Sequence, residues 1–238
     1  MVQFDIENSI YRISRKQYEL AQKRYKLPIG FDEHLAILVA RYIAIGTTNN
    51  HASVPPKVIE FCSVNTEMFG SPLNTSAEQY CSPMFDIEKE FGSIGSFFNI
   101  ELTPDTYLCN PPYDEVIINQ AMRKILSAFD RNVEMTVIIV LPAWDIETQL
   151  LINQTETLAG GTKTVKPVKY VEFPIISEIK RSRFLRSNVL LNYEDHRFYN
   201  FYTDEHVALT DTHLFVMSNT MYNLTAMEIA DFWRRIFS

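Results

Sequence analysis

Tyr107-Leu108-Cys109-Asn110-Pro111-Pro112-Tyr113-Asp114-Glu115 is the stretch on which the reading of this chain turns. An apolar run leads in and a helical pattern leads out. Each proline fixes its own φ and lacks an N–H. Each also drives the residue before it out of the α region, which holds Asn110 and Pro111 extended. The outcome is a stiff turn at the end of a strand, presenting one amide side chain, two free carbonyls and one aromatic ring. Beyond it, Ile118, Met122, Ile125, Leu126 and Phe129 recur at helical spacing, with Asp114 and Glu115 as caps in the first turn. Met135 to Leu141 is a continuous apolar run closed by Pro142, the pattern of a strand buried on both faces of a parallel sheet. Strand, Asn-Pro-Pro-Tyr, helix and strand make a β-α-β unit. The turn falls at the carboxyl end of its strand, where open α/β sheets bind ligands.

Those residue types suit methylation of an exocyclic amine on a planar ring. Such an amine is a poor nucleophile, because its lone pair is delocalised into the ring. The Asn110 side-chain oxygen and the Pro111 carbonyl can each accept one amine hydrogen, drawing the nitrogen toward tetrahedral geometry. Pro112 stiffens the turn, and Tyr113 can stack on the ring, a contact worth about 1–3 kcal/mol per base. The expected donor is S-adenosylmethionine, whose sulfonium loses its charge as the methyl leaves. Placement and pre-aimed dipoles then supply most of the acceleration, and no strong base is required.

At 238 residues and 46% hydrophobic content the chain can bury a large core as one domain with a small appendage. Its three cysteines, Cys62, Cys81 and Cys109, lack Cys-x-x-Cys spacing and read as thiols in a reducing compartment. No signal peptide and no apolar run of membrane-spanning length is read in it. A net charge of −7 excludes broad, non-specific DNA coating, so a nucleic-acid substrate requires a local basic surface.

Residues 1–30 set Tyr11, Tyr18 and Leu20 among Arg12, Arg15, Lys16, Lys23, Arg24 and Lys26, read as a basic amphipathic helix. Asp32 is expected to cap a second helix over 33–45, and Pro55-Pro56 to open a short one. Glu67 to Asn74 reads as a first strand ending in Gly-Ser-Pro, where Gly70 would let the backbone approach a ligand. The glycines of Phe91-Gly92-Ser93-Ile94-Gly95 mark a loop. Trp144 falls at the rim of the same sheet edge, where an indole can stack a cationic base such as 7-methylguanine. Residues 150–169, with Lys163, Lys166 and Lys169, read as a mobile loop. Lys180, Arg181, Arg183 and Arg186 form a basic cluster suited to phosphates. Val189–Leu191 and 213–218 read as strands, the latter antiparallel, and 226–237 as an amphipathic helix. His196, His206 and His213 lack metal-ligand spacing, and no metal is expected.

Taken with Arg41-Tyr42, Val54-Pro55-Pro56-Lys57-Val58, Phe69-Gly70-Ser71-Pro72-Leu73-Asn74, Gln79-Tyr80-Cys81-Ser82, Pro142-Ala143-Trp144 and Ser182-Arg183-Phe184, the corner resembles the catalytic domain of the phosphorylated-CTD-interacting-factor family. These are cap-specific adenosine N6-methyltransferases. They act on the first transcribed 2′-O-methyladenosine beside the 7-methylguanosine cap. The resemblance covers residues 35–220 in order and implies a class I, Rossmann-like α/β methyltransferase with S-adenosylmethionine as cofactor. Its core would span 65–238 as a mostly parallel sheet with an antiparallel last strand, and a helical portion would span 1–64. It implies that Phe69, Gly70, Ser71, Pro72 and Asn74, with Asn110, line the cofactor pocket. Asn110, Pro111, Pro112 and Tyr113 would hold the adenine. Trp144, Arg181, Arg183 and Arg186 would face the cap or its phosphates on a capped RNA. The chain departs from the family at Tyr113, where the motif ends in Phe, and at Ile94, where a basic residue is expected. No WW module is read in it, and its compact form fits a cytoplasmic or viral version. The alternatives are a DNA adenine methyltransferase, a glutamine N5-methyltransferase and a catalytically silent RNA-binding relative.

Overall fold

The computed structural model describes residues 1–6, 9–45, 52–145 and 173–237; the lysine-containing stretch 150–169 lies outside them. Apolar residues alternate at the amino terminus instead of recurring at helical spacing. Val2–Ile6 (β1) and Ser9–Ile13 (β2) accordingly form an antiparallel hairpin, with Val2 opposite Ile13 and Phe4 opposite Tyr11. This corrects the expectation of a helix over residues 1–30. The helix Arg15–Arg24 (α1) starts only where Ser14 accepts from the Gln17 N–H and the Gln17 side chain accepts from the Ser14 N–H, a reciprocal cap. Phe31–Ala44 (α2) follows Gly30, whose φ of 82° is left-handed, so Asp32 lies inside the first turn rather than capping it. Its carboxylate accepts from Tyr18 instead, at 2.8 Å. The hairpin, α1 and α2 bury a core of their own around Phe4, Ile13, Leu35, Leu38 and Val39, completed by Leu73, Ile87 and Phe91 from further along the chain.

Ala52–Ser53 (β3) and Pro56–Phe61 (α3) come next, the helix opening on a proline whose missing N–H would have had no partner there. Then follow Thr66–Glu67 (β4), Gln79–Tyr80 (β5), Phe85–Glu88 (α4), a 3₁₀ turn Lys89–Phe91, Asp105–Cys109 (β6), Glu115–Asp130 (α5) and Met135–Pro142 (β7). The strand expected to end in Gly70-Ser71-Pro72 therefore stops earlier, at Glu67. The chain closes with Pro174–Arg181 (α6), Leu185–Leu191 (β8), Phe198–Asn200 (β9), Glu205–Val207 (β10), Thr212–Ser218 (β11) and Ala226–Arg235 (α7). Strands β10, β9 and β3 make a small separate sheet.

The main sheet has six strands in the order β5-β4-β6-β7-β11-β8. Strands β5, β4, β6 and β7 run parallel. Strand β11 is antiparallel to both β7 and β8, so β8 runs with the parallel set and β11 is the reversed member between them. All eight residues of β7 are buried because both faces are covered. Val137, Ile139 and Leu141 join the layer under α5 and α6. Ile138 and Val140 join the opposite layer with α3 and α7, as period-two alternation requires. Helix α3 thus belongs to the core of the sheet rather than to the amino-terminal core. No helix among the described residues is long and apolar enough to cross a membrane.

Candidate active site

Because β4, β5, β6 and β7 are parallel, the segments that follow them emerge at one edge of the sheet. The Asn110–Tyr113 corner leaves β6 there and feeds α5 through Asp114, whose carboxylate caps the helix by accepting from the Ile117 N–H at 2.9 Å. The Asp114 N–H donates to the Pro112 carbonyl at 2.7 Å. One of the proline carbonyls is therefore spent, and among the described residues no main-chain N–H donates to the Pro111 carbonyl. The Asn110 side-chain oxygen is buried with no hydrogen-bond partner among the described residues. The Tyr113 hydroxyl is in the same condition while its ring stays partly exposed. Burial raises the phenol pKa, and the neighbouring Thr212 hydroxyl, which meets the Thr210 carbonyl and the His196 Nε2 at 3.0 Å each, offsets this only in part. Buried polar atoms without partners are few in folded proteins and call for an explanation.

Trp144 follows β7, edge-on to Tyr113 with ring centroids 6.2 Å apart, and leans on Phe173 at 5.6 Å. Its neighbour Asp145 accepts from Lys180 at 3.0 Å and faces the His213 Nε2 at 2.6 Å. Burial alone would raise the Asp145 carboxyl, but the bonds from Lys180 and His213 hold it below the usual range. Burial lowers the His213 imidazole against the pull of Asp145, and its Nδ1 is a third buried atom at this edge without a partner.

The loop after β4 is closed on itself. The Ser71 N–H and hydroxyl both donate to the Asn74 side-chain oxygen, at 2.8 and 3.0 Å, and the Leu73 N–H donates to the Ser71 hydroxyl at 3.2 Å. A side chain at Gly70 would meet the Cβ of Tyr80 at 3.0 Å and of Thr75 at 3.3 Å. The glycine is thus required by the protein packed against it. Pro72 is buried, and Phe69 lies half-buried against Phe97 and Phe98, at 5.1 and 5.9 Å. Glu67 sits beneath the loop, 4% exposed, accepting from the Thr75 hydroxyl and the Ser76 N–H. Burial pushes its carboxyl up to about 7, although those bonds and Arg24 pull it back. Ile94 is exposed beside this edge and donates its N–H to Tyr80 at 3.0 Å.

The basic cluster divides. Lys180 reaches the edge through Asp145. Arg181 is exposed at the last position of α6. Arg183 stands 3.7 Å from Asp130, at the far end of α5 from the corner, and over the Phe184 ring. Arg186 donates to the Ser218 carbonyl at 2.8 Å, next to the start of β7. Three strand spacings, roughly 14 Å, separate β8 from β6. The structure therefore brings together Asn110, Pro111, Tyr113 and Trp144, with the Phe69–Asn74 loop on the same edge, and leaves Arg183 and Arg186 toward the other. Sequence reasoning missed Glu67 and the Asp145–His213 pair; the one signal for each was an ionisable residue inside or beside an apolar strand. Among the described residues no group of three or more His, Cys, Asp and Glu side chains could hold a metal.

A family model described as "Phosphorylated CTD interacting factor 1 WW domain" matches residues 8–159. A human protein named mRNA (2'-O-methyladenosine-N(6)-)-methyltransferase is 31% identical over 106 residues, which are 41% of this chain and 14% of the relative. The mouse protein of that name is 28% identical over 102 residues, with the same shares. The chain thus matches about a seventh of the length of these relatives.

Proposed function

The chain belongs to the phosphorylated CTD interacting factor 1 family, and from that premise we propose that it is a class I S-adenosylmethionine-dependent methyltransferase acting on N6 of adenosine. The substrate that best fits is the 2′-O-methyladenosine beside the cap of a capped RNA, the nucleoside named for its human and mouse relatives. The observation that carries the reading is the buried, unpartnered Asn110 oxygen at the carboxyl end of β6.

An amine hydrogen is the partner that oxygen lacks, and the Pro111 carbonyl accepts the second. The partly exposed Tyr113 ring has one side against Trp144 and offers stacking to the base. The edge also fits the donor: it combines that free acceptor with an aromatic wall at Phe69 and a self-supporting turn at Ser71–Asn74. Phe69, Gly70, Ser71, Pro72 and Asn74 would hold S-adenosylmethionine, which when bound supplies an electrophilic methyl on a sulfonium. Asn110 and Pro111 pyramidalise the amine and aim its lone pair, Tyr113 fixes the ring plane, and the rigid prolines keep these groups from relaxing between turnovers. Trp144 is the cap-facing candidate at the same edge, and Arg181, exposed at the end of α6, is the candidate to meet phosphates.

Incubating the chain with S-adenosylmethionine and capped RNA beginning in 2′-O-methyladenosine should yield N6,2′-O-dimethyladenosine, detected by mass spectrometry of the nucleosides. Methylation of duplex DNA with no product on capped RNA would replace this reading by a DNA adenine methyltransferase. Absence of any S-adenosylmethionine binding would leave a silent RNA-binding relative.

A further inference from the structure

Two side chains of the amino-terminal unit reach across to the loops of the candidate site. Arg24, on α1, donates to the carbonyls of Ala77 at 2.5 Å and Glu78 at 3.4 Å and lies over the Tyr80 ring at 5.3 Å. Tyr42, on α2, donates to the Glu88 carboxylate at 2.6 Å, with Ser71 beside its hydroxyl. Glu88 is fully buried and accepts from the Met84 N–H at 2.8 Å, with Ser82, whose hydroxyl donates to Ser93 at 2.6 Å, beside it. Ser71 belongs to the loop after β4, and Ser82 to the loop after β5. Leu73, between Ser71 and Asn74, buries its side chain in the core of α1 and α2. Arg24 and Leu73 therefore tie the loop after β4 to residues 1–45, and Tyr42, through Glu88 and the Met84 N–H, ties the loop after β5 to them.

The alternative employment for this unit is RNA contact through its basic residues. Those whose contacts are defined are turned inward or engaged: Arg24 on the loop carbonyls, and Lys16 on Asp204 at 3.1 Å and the Tyr199 ring at 4.3 Å. A buried carboxylate costs free energy unless it is hydrogen-bonded. Its presence at the junction means the loop geometry there is specified by directional bonds, where apolar packing would leave it loose.

We infer that the hairpin, α1 and α2 act as a brace for the S-adenosylmethionine pocket, with Tyr42, Glu88 and Arg24 as positioning residues that set donor affinity. The inference rests on reading Phe69–Asn74 as the donor loop. Tyr42→Phe keeps the ring, removes the hydroxyl that lies between Glu88 and Ser71, and leaves the carboxylate one donor short. Calorimetry on the full chain should show the S-adenosylmethionine Kd raised about tenfold in this variant, a change of ~1.4 kcal/mol. Lys16→Ala, which breaks an amino-terminal contact away from the loops, should stay within about twofold of the wild type. Capped-RNA affinity, read by fluorescence anisotropy, should be the same in all three. Hydrogen exchange without ligand should show faster exchange in Tyr42→Phe at the amides of Gly70, Ser71 and Ser82, so the brace is tested even before donor is added. Unchanged donor affinity and unchanged exchange in Tyr42→Phe, beside a wild type that binds, would overturn the brace and leave the pocket standing. A fall in RNA affinity with donor affinity intact would overturn it in favour of an RNA-facing unit. A wild type that binds no donor would remove the pocket and this role of the brace together.

Discussion

The loops after β4 and β6 leave the same sheet edge side by side and treat their polar groups differently. The β4 loop satisfies most of its own: Ser71 and Asn74 bond each other and Glu67 lies under Thr75 and Ser76, with the Ser76 hydroxyl its buried exception. The β6 corner leaves the Asn110 oxygen and the Tyr113 hydroxyl buried and unpaired. Each such atom costs about 1–3 kcal/mol in the free protein. A loop that spends its hydrogen bonds internally holds a shape with nothing bound. A corner that withholds them has kept acceptors for a ligand, and its prolines supply the rigidity that hydrogen bonds supply to its neighbour.

The sharpest way to break that contrast is Asn110→Ala. Single-turnover methylation should fall by about 10²–10³-fold, the usual cost of losing one pre-aimed group at a reacting centre. Donor affinity should hold, and the melting temperature should stay level or rise because a buried unpaired oxygen is gone. Wild-type turnover in this variant would remove the distinction between the two loops.

The next effect lies under the self-satisfied loop. Glu67 is raised to about 7 from an ordinary 4.5, so between those values the folded chain holds a proton that the unfolded chain has released. Its contribution to stability is therefore greatest below pH 4.5, is lost as pH rises to 7, and stays lost above. Glu67→Gln cannot lose that proton. Against wild type it should gain about 3 kcal/mol in urea unfolding between pH 4.5 and pH 8, at ~1.36 kcal/mol for each pKa unit. A difference that does not vary with pH would mean the carboxylate is at ease in its site.

Ser71→Ala should act more mildly. It removes one donor and one acceptor from the turn, lowers stability by about 1 kcal/mol, and weakens donor binding several-fold while turnover at saturating donor is retained. If turnover collapsed instead, the β4 loop would have to touch the reacting atoms. The smallest effect is expected for Arg186→Ala, whose guanidinium is spent on Ser218 toward the opposite edge. Capped-RNA affinity should stay within about twofold, because the exposed contacts it could offer there are weak and distant from the corner. A tenfold loss would extend the RNA path around the sheet.

The β-α-β unit was legible because its signals are local. Prolines 111 and 112 dictate backbone geometry whatever surrounds them, Asp114 caps within three residues, and an unbroken apolar run from Met135 demands cover on both faces. The amino terminus was misread because Tyr11, Arg12 and Arg15 fall near helical spacing. The pairing of Val2 with Ile13 and Phe4 with Tyr11 that outweighs it becomes visible only when both strands face one core. The basic cluster was a cluster in one dimension only, since the turn after α6 and the entry into β8 send Lys180 and Arg186 apart.

Sequence alone therefore determined the corner, its capped helix and its central strand, since dihedral restriction and hydrophobic periodicity act within a few residues. Tertiary structure alone decided that Asn110 keeps an unpaired oxygen, that Gly70 is required by Tyr80 and Thr75, and that Tyr42, Glu88 and Ser71 meet. Hydrogen-bond satisfaction and side-chain contact depend on which distant segments share a space, and no local pattern in the chain encodes that.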